Sequence, residues 1–326
     1  MRFTGAALAS AVTVAALVLT SCAGVQGGDD STSGNNAVTV LVDYQHDAFA
    51  TSHLEYYPKV VKVHAGSTVV FKQAWTGEPH TVTFGKLVDK YLQPLSTYLI
   101  ANGDKPIGED DPPPSEVEAA LEGMDADLPY TFGEGTEEVE LNQGPAQPCY
   151  LKTGTYPEAG KAACPKVDQP TFDGSYDIYN SGFIPYEGSK QSNTFTVDFA
   201  DDLEPGTYNY YCNIHGPAQW GRVEVVPAAV DVPSKAEVAK QARAEVLKDI
   251  TFLENRFEEA QRTGKTEAQG QQIRGNLTGV DGTFPSVHAF VDEFIPRTIK
   301  TKAGKPVTWT FTGTHTISFN VPKYFP

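Results

Sequence analysis

The sequence predicts an all-β protein built around a sandwich of sheets, and three observations predict it. Short runs of alternating apolar and polar residues recur along the chain, each bounded by Gly or Pro. One pair of such runs is joined by a short loop, Cys212-Asn213-Ile214-His215, with Gln219 close behind. The strand pattern of residues 57–71 then returns at 295–309 without a gap.

The strands follow in order. Val38 to Asp43 alternates. Tyr57 to Phe71 reads as strand, turn at Ala65-Gly66, strand, and His80 to Phe84 as a further short strand. Regularity stops over residues 86–170, where Pro, Gly and acidic clusters gather, as in Gly108-Glu109-Asp110-Asp111-Pro112-Pro113-Pro114. A stretch this long without structure is unusual inside a domain and reads as an insertion. One short helix is expected there, at Ser115 to Leu121, with Ser115 and Glu118 as a capping box. The acid run lacks the ordered alternation of a Ca²⁺ loop and reads as a solvated face. Strands return at Ser192 to Phe199, Thr207 to Tyr211 and Gly221 to Val226, with Pro227 closing the domain.

Pro233 to about Thr263 is expected to be a helix. Ser234 and Glu237 form a capping box, and Val238, Ala242, Val246, Ile250, Leu253 and Phe257 line one face. Such a face packs on a neighbouring domain or binds a partner. A polar linker follows, from Lys265 to Gly282. Pro58 then matches Pro296, Gly66 matches Gly304, and Thr314 to Phe319 matches Pro79 to Phe84, which puts His315 opposite His80. No Cys follows, so the second copy has the first half of a sandwich and no ligand loop. Half a sandwich leaves unpaired edges; the chain is read as cut inside a second domain, or as docking these strands on the first domain or a partner.

Residues 1–22 read as a targeting segment. Arg2 is a short positive start, Ala6 to Leu19 is apolar and too short for a comfortable span, and Leu19-Thr20-Ser21-Cys22 resembles the bacterial lipobox. That resemblance implies a lipid on Cys22, a flexible tether over residues 23–37, and a site at the outer face of the cell membrane. The formal net charge is −16, and removing residues 1–21 takes away one Arg and no acid, giving −17. So acidic a surface disfavours nucleic acid and anionic headgroups and suits solubility or a basic redox partner.

Two imidazoles and a thiolate with a weak fourth ligand form the donor set of a blue-copper site. Cys212 and His215 come from one loop, and Pro79-His80-Thr81-Val82 offers the second imidazole. The run Gly206-Thr207-Tyr208-Asn209-Tyr210-Tyr211-Cys212-x-x-His215, the exit Gly221-x-Val223-x-Val225 and the upstream His80 together resemble the cupredoxin family, in its plastocyanin and azurin branch. The resemblance covers residues 38–227 apart from the insertion at about 86–170, and recurs in part over 283–326. It implies an antiparallel Greek-key β-sandwich with one copper at its end, followed here by a helix and linker (228–282) and a partial second unit. It assigns His80, Cys212 and His215 as ligands. The family usually adds an axial Met two residues before the Gly, but here that position is Gln219. Gln occupies it in the stellacyanin branch and favours Cu(II), so the implied potential is lower than with Met. Pro79 stiffens the entry to His80, and Thr81 stands where relatives often carry an Asn that steadies the Cys loop. With Cys22 lipidated and Cys212 a ligand, Cys149 and Cys164 remain and are expected to pair, a link of roughly 3 kcal/mol in the chain-entropy picture. His46, His53, His64 and His288 have no motif around them.

The function this implies is a lipid-anchored carrier of single electrons, not an enzyme. Two other readings stay open. Part of a multicopper oxidase or nitrite reductase would need His-x-His pairs, and the sequence has none. A copper-binding or adhesion module without electron transfer would lean on Met clusters, and only Met1 and Met124 occur.

Overall fold

The computed structural model describes residues 37–74, 77–102, 112–128, 169–185, 192–263, 289–291, 293–309 and 317–319. Cys22, Cys149, Cys164, His288 and His315 lie outside the described residues, as do the targeting segment and the tether.

Strands β1 (Ala37–Val42), β2 (Thr51–His53), β3 (Tyr56–Tyr57), β4 (Val60–His64) and β5 (Thr68–Gln73) come first. They are followed by β6 (Thr83–Phe84), helices α1 (Lys86–Asn102) and α2 (Ser115–Asp127), and β7 (Tyr179–Asn180). Then come β8 (Thr194–Asp198), β9 (Gly206–Cys212), β10 (Gly216–Val226), α3 (Lys235–Thr263) and β11 (Ala289–Val291). One sheet has the order β3-β1-β5-β8, the other β4-β10-β9-β6-β7. The sheets are mixed, not antiparallel as expected, because β1 pairs β5 and β4 pairs β10 in parallel.

The two sheets face each other through their alternate residues, which is what period-two patterning dictates. Val38, Val40, Val42, Val69, Phe71 and Val197 of one sheet meet Val61, Val63, Tyr210, Val223 and Val225 of the other. Tyr210 is the hub, with its ring 4.9 Å from Tyr56, 5.0 Å from Phe71 and 4.8 Å from Phe84. The Ala65-Gly66 turn forms as expected, with φ +75° at Gly66; a Cβ there would lie 2.4 Å from the Asp201 carboxylate.

Two expectations for the insertion need correction. Lys86–Asn102 is a 17-residue helix, although Pro94 sits inside it. Val88, Leu92, Leu95 and Leu99 repeat at helical spacing and are buried against Tyr211 and Trp220, and this packing outweighs the hydrogen bond that Pro94 cannot make. Helix α2 runs on to Asp127, and its N-cap is Pro114, without a side-chain cap. Ser115 is already helical, so the Ser115–Glu118 box does not form.

Helix α3 keeps its expected box. The Glu237 amide donates to Ser234 Oγ at 3.3 Å, and the Ser234 amide donates to Glu237 Oε2 at 2.8 Å. Its apolar face packs on this same sandwich: Val238 enters the main core, Ala242 and Val246 cover Tyr57, and Leu253 meets Phe49, Ala289 and Ile295. Strand β11 docks antiparallel on β2. Residues 295–309 keep the turn, with Gly304 at φ +78°, but form no strand. In the first copy β4 and β5 exist because β10 and β1 flank them; among the described residues no strand flanks the second.

The helix is also held by polar contacts. Tyr57 donates its hydroxyl to Asp249 Oδ2 at 2.6 Å, and the Lys59 amide donates to Glu245 Oε2 at 2.8 Å. Burial pushes the Asp249 carboxyl up to about 6; the Glu55 charge adds to this, and the Tyr57 bond opposes it. The folded state therefore holds this proton more tightly than the unfolded chain. The associated stabilisation is complete below the usual 3.8 and is lost as pH rises to about 6. Asp249→Asn should flatten that part of the stability–pH curve, and urea denaturation at steps across the window measures it.

Candidate metal centre

Three of the residues that sequence analysis singles out are delivered by one hairpin. Cys212 ends β9 and pairs with Gly216, the first residue of β10. The register then shifts between Gly216 and Trp220, and this bulge re-aims the residues it contains. His215 stands at the tip before Gly216, whose φ is +58°, and Gln219 lies within the bulge. The fourth residue, His80, precedes β6. Its carbonyl accepts from the Ile184 amide at 3.0 Å, and the Val82 carbonyl accepts from Ser181 at 2.9 Å. The Tyr56 hydroxyl donates to the Thr81 carbonyl at 2.5 Å. The backbone that carries His80 is thus fixed from both sides.

These elements bring His80, Cys212 and His215 together, with one ligand atom of each within 4.8 Å of the others. The imidazole rings lie 4.9 Å apart. Both face Gln219: its Oε1 is 2.9 Å from His80 Nδ1 and 2.8 Å from His215 Nδ1. The Gln219 amide nitrogen donates away from the cluster, to the Glu55 carbonyl at 3.3 Å. His80, Cys212 and Gln219 are fully buried, while His215 keeps one edge toward solvent.

The electrostatics favour a thiolate. Burial alone would raise the Cys212 thiol; the His215 and His80 imidazoles outweigh it and hold the thiol well below its usual range. For His80, burial pushes down, but hydrogen bonds to the Asp43 carboxylate and Cys212 prevail and raise it to about 10. The Thr81 amide donates to Cys212 Sγ at 3.3 Å. The donor set therefore fits a metal ion in its chemistry: one sulfur and two imidazole nitrogens, with one donor atom of each within 4.8 Å of the others.

Pro79 is half-buried at the entry to His80. The Thr81 hydroxyl is the bridge to the Cys loop: it accepts from the Asn213 amide at 2.8 Å and donates to Asn213 Oδ1 at 3.0 Å. Thr83 also donates to Asn213 Oδ1, and Asn180 does so at 3.4 Å. Trp220, next to Gln219, is fully buried in the core beneath α1 and α2. Met124 lies in that same core. His46 stacks on Phe49, His53 bonds the Tyr57 hydroxyl, and His64 bonds the Val230 carbonyl, so none of the three joins the cluster.

Sequence analysis missed Asp43 and Asn213. Asp43 is fully buried, with Oδ2 3.2 Å from His80 Nε2. The only signal for it was an acid ending an apolar strand. Asn213 lies inside the Cys-His loop, where its polar side chain had no visible partner in the sequence.

No family model matches the chain, and no curated protein matches it. Among solved structures, a point mutant of amicyanin in its Cu(I) form is 13% identical, with 60% of this chain and 88% of that one covered, at a TM-score of 0.25. Dithionite-reduced auracyanin from the photosynthetic bacterium Roseiflexus castenholzii is 16% identical over 59% of this chain and 98% of its own, at 0.25. Amicyanin from Paracoccus versutus is 12% identical over 60% and 87%, at 0.21.

Asn213→Ala should cost about 1–3 kcal/mol, because buried hydroxyls would lose their acceptor. Chemical denaturation of the metal-free protein measures this directly.

Proposed function

We propose that this chain is a cupredoxin, a type 1 copper protein that carries single electrons. One observation bears most of the weight: the buried Cys212 sulfur and two inward-facing imidazole nitrogens converge, with the oxygen of Gln219, at one end of a β-sandwich. A copper ion bound there supplies one-electron chemistry between Cu(I) and Cu(II). The protein's part is to keep the donors still. Thr81 and Asn213 hold the Cys212 loop, and the hydrogen bonds of residues 181–184 hold His80. A donor set that does not relax suits both oxidation states with little rearrangement. His215 is the half-buried ligand and the natural edge for electron passage.

The same proposal places the protein at the outer face of the membrane, anchored through lipid on Cys22, with Cys149 and Cys164 linked. No helix among the described residues is long and apolar enough to cross a membrane. A basic redox protein suits the net charge of −16. Residues 283–326 are read as part of a second cupredoxin-like unit, in which His315 is the candidate ligand.

The test is the visible absorption and EPR spectrum of Cu(II)-loaded protein lacking residues 1–36, beside Cys212→Ser. An intense thiolate-to-copper band that disappears in the variant is expected. A folded wild-type protein without this band would sink the electron-carrier reading. Gln219→Met should raise the reduction potential, since a thioether favours Cu(I) over an amide oxygen. A shift of about 59 mV or more corresponds to at least tenfold in relative affinity for the one-electron couple; protein-film voltammetry reads it.

A further inference from the structure

We propose that Asp43 is a positioning residue for this centre: it locks the tautomer of His80 and biases the site toward Cu(II). This inference rests on the copper reading above.

The geometry is specific to one turn. Asp43 follows β1 and is the one non-glycine residue with positive φ among the described residues, at +65°. Asp tolerates this left-handed conformation when its side chain bonds locally. Here Oδ1 accepts from the Tyr44 amide at 2.6 Å and from the His53 amide at 2.7 Å. These two bonds fix the carboxylate plane and aim Oδ2 at His80 Nε2, 3.2 Å away. Both side chains are fully buried, so water does not screen the contact.

A carboxylate accepts and does not donate, so Nε2 must carry the proton. The other ring nitrogen, Nδ1, is then the one that would give its lone pair to a metal, and it faces Gln219 Oε1. The same turn reaches Gln219. The Asp43 amide donates to the Glu55 carbonyl at 3.0 Å, and the Gln219 side chain donates to that same carbonyl. One stretch of chain, residues 43–55, therefore backs two of the four donors.

His215 differs. Its Nε2 faces Glu78 at 3.6 Å, beyond hydrogen-bond reach, and the Glu78 side chain is 40% exposed. Of the two imidazoles, His80 is the one with a fully buried carboxylate behind it. An anion there enriches the electron density that Nδ1 donates, and it stabilises the more highly charged Cu(II) form more than Cu(I).

Asp43→Asn tests this, because Asn retains an oxygen acceptor for Tyr44 and His53 and removes the charge. Wild type and variant are loaded with copper. The potential is read by voltammetry, and the His80 Nε2 proton by ¹H–¹⁵N NMR of the diamagnetic Cu(I) form. The expected result is a retained visible band and a fall of about tenfold in Cu(II) over Cu(I) preference, about 59 mV upward. The His80 Nε2 proton, downfield of that of His215 in wild type, should move upfield. A retained band with unchanged potential and unchanged proton shift overturns the role of Asp43 and leaves the copper reading standing. Wild-type protein without a blue band overturns both. If Asp43→Asn does not fold, Asp43→Gly keeps the left-handed backbone without strain. The wild-type spectrum also decides by itself: a His80 Nε2 proton no further downfield than that of His215 overturns the proposal.

Discussion

The interaction on which the site depends is the one that holds the buried Cys212 thiol well below its usual range. A buried charge without compensation costs several kcal/mol. Here compensation arrives from three directions: two imidazoles and the Thr81 amide. The first imidazole is compensated in turn by Asp43, and Asp43 by two backbone amides. The contacts thus run outward from the sulfur through imidazole and carboxylate until they end on peptide amides. Each member has its neighbours as partners, so their contributions are not additive.

This chain of contacts needs rigid supports, and the helices supply them. Helix α1 lies against β9 and β10, the strands that carry the ligand hairpin. Arg222 of β10 donates to Ser96 of α1 at 2.6 Å, and Asn209 of β9 donates twice to Asp89 at 2.7 and 2.8 Å. Burial pushes the Asp89 carboxyl up to about 6, against the pull of the Asn209 bonds. The outer surface of the hairpin's sheet is therefore covered by a polar lattice above an apolar layer of Trp220, Tyr211, Leu92 and Leu95. On the other side α3 covers Tyr57, which bonds His53, the neighbour of Asp43 through its amide. Helices α1 and α3 both brace elements that position the clustered side chains.

How much of this the sequence disclosed follows from the range of the interactions. The strands, the Ala65-Gly66 turn, the α3 box and the Cys212-His215 loop are local patterns, and they were legible. His80 was legible as a histidine entering a short strand pattern, Pro79-His80-Thr81-Val82. Helix α1 was hidden: Pro94 and the acidic, Pro-rich surroundings masked a stripe of Val88, Leu92, Leu95 and Leu99 that only the Trp220 surface makes useful. The parallel pairs were hidden for a related reason, since alternation sets which face is buried but not which strand lies alongside. Asp43 was least legible of all. Its role comes from a positive φ and from a histidine 37 residues away, and neither leaves a mark on residue type.

Gln219 is tied to the chain through both ends of its side chain. An amide has two ends, and here both are used. The oxygen sits between two imidazole nitrogens, and the nitrogen donates to the Glu55 carbonyl. A thioether would meet the first requirement weakly and the second not at all, because it has no N–H to give. The Glu55 carbonyl is also the acceptor for the Asp43 amide, so residue 219 and the carboxylate behind His80 are registered against one peptide group. His80 and Gln219 are thus held by the backbone of residues 43–55 as much as by the Cys212–Gln219 hairpin.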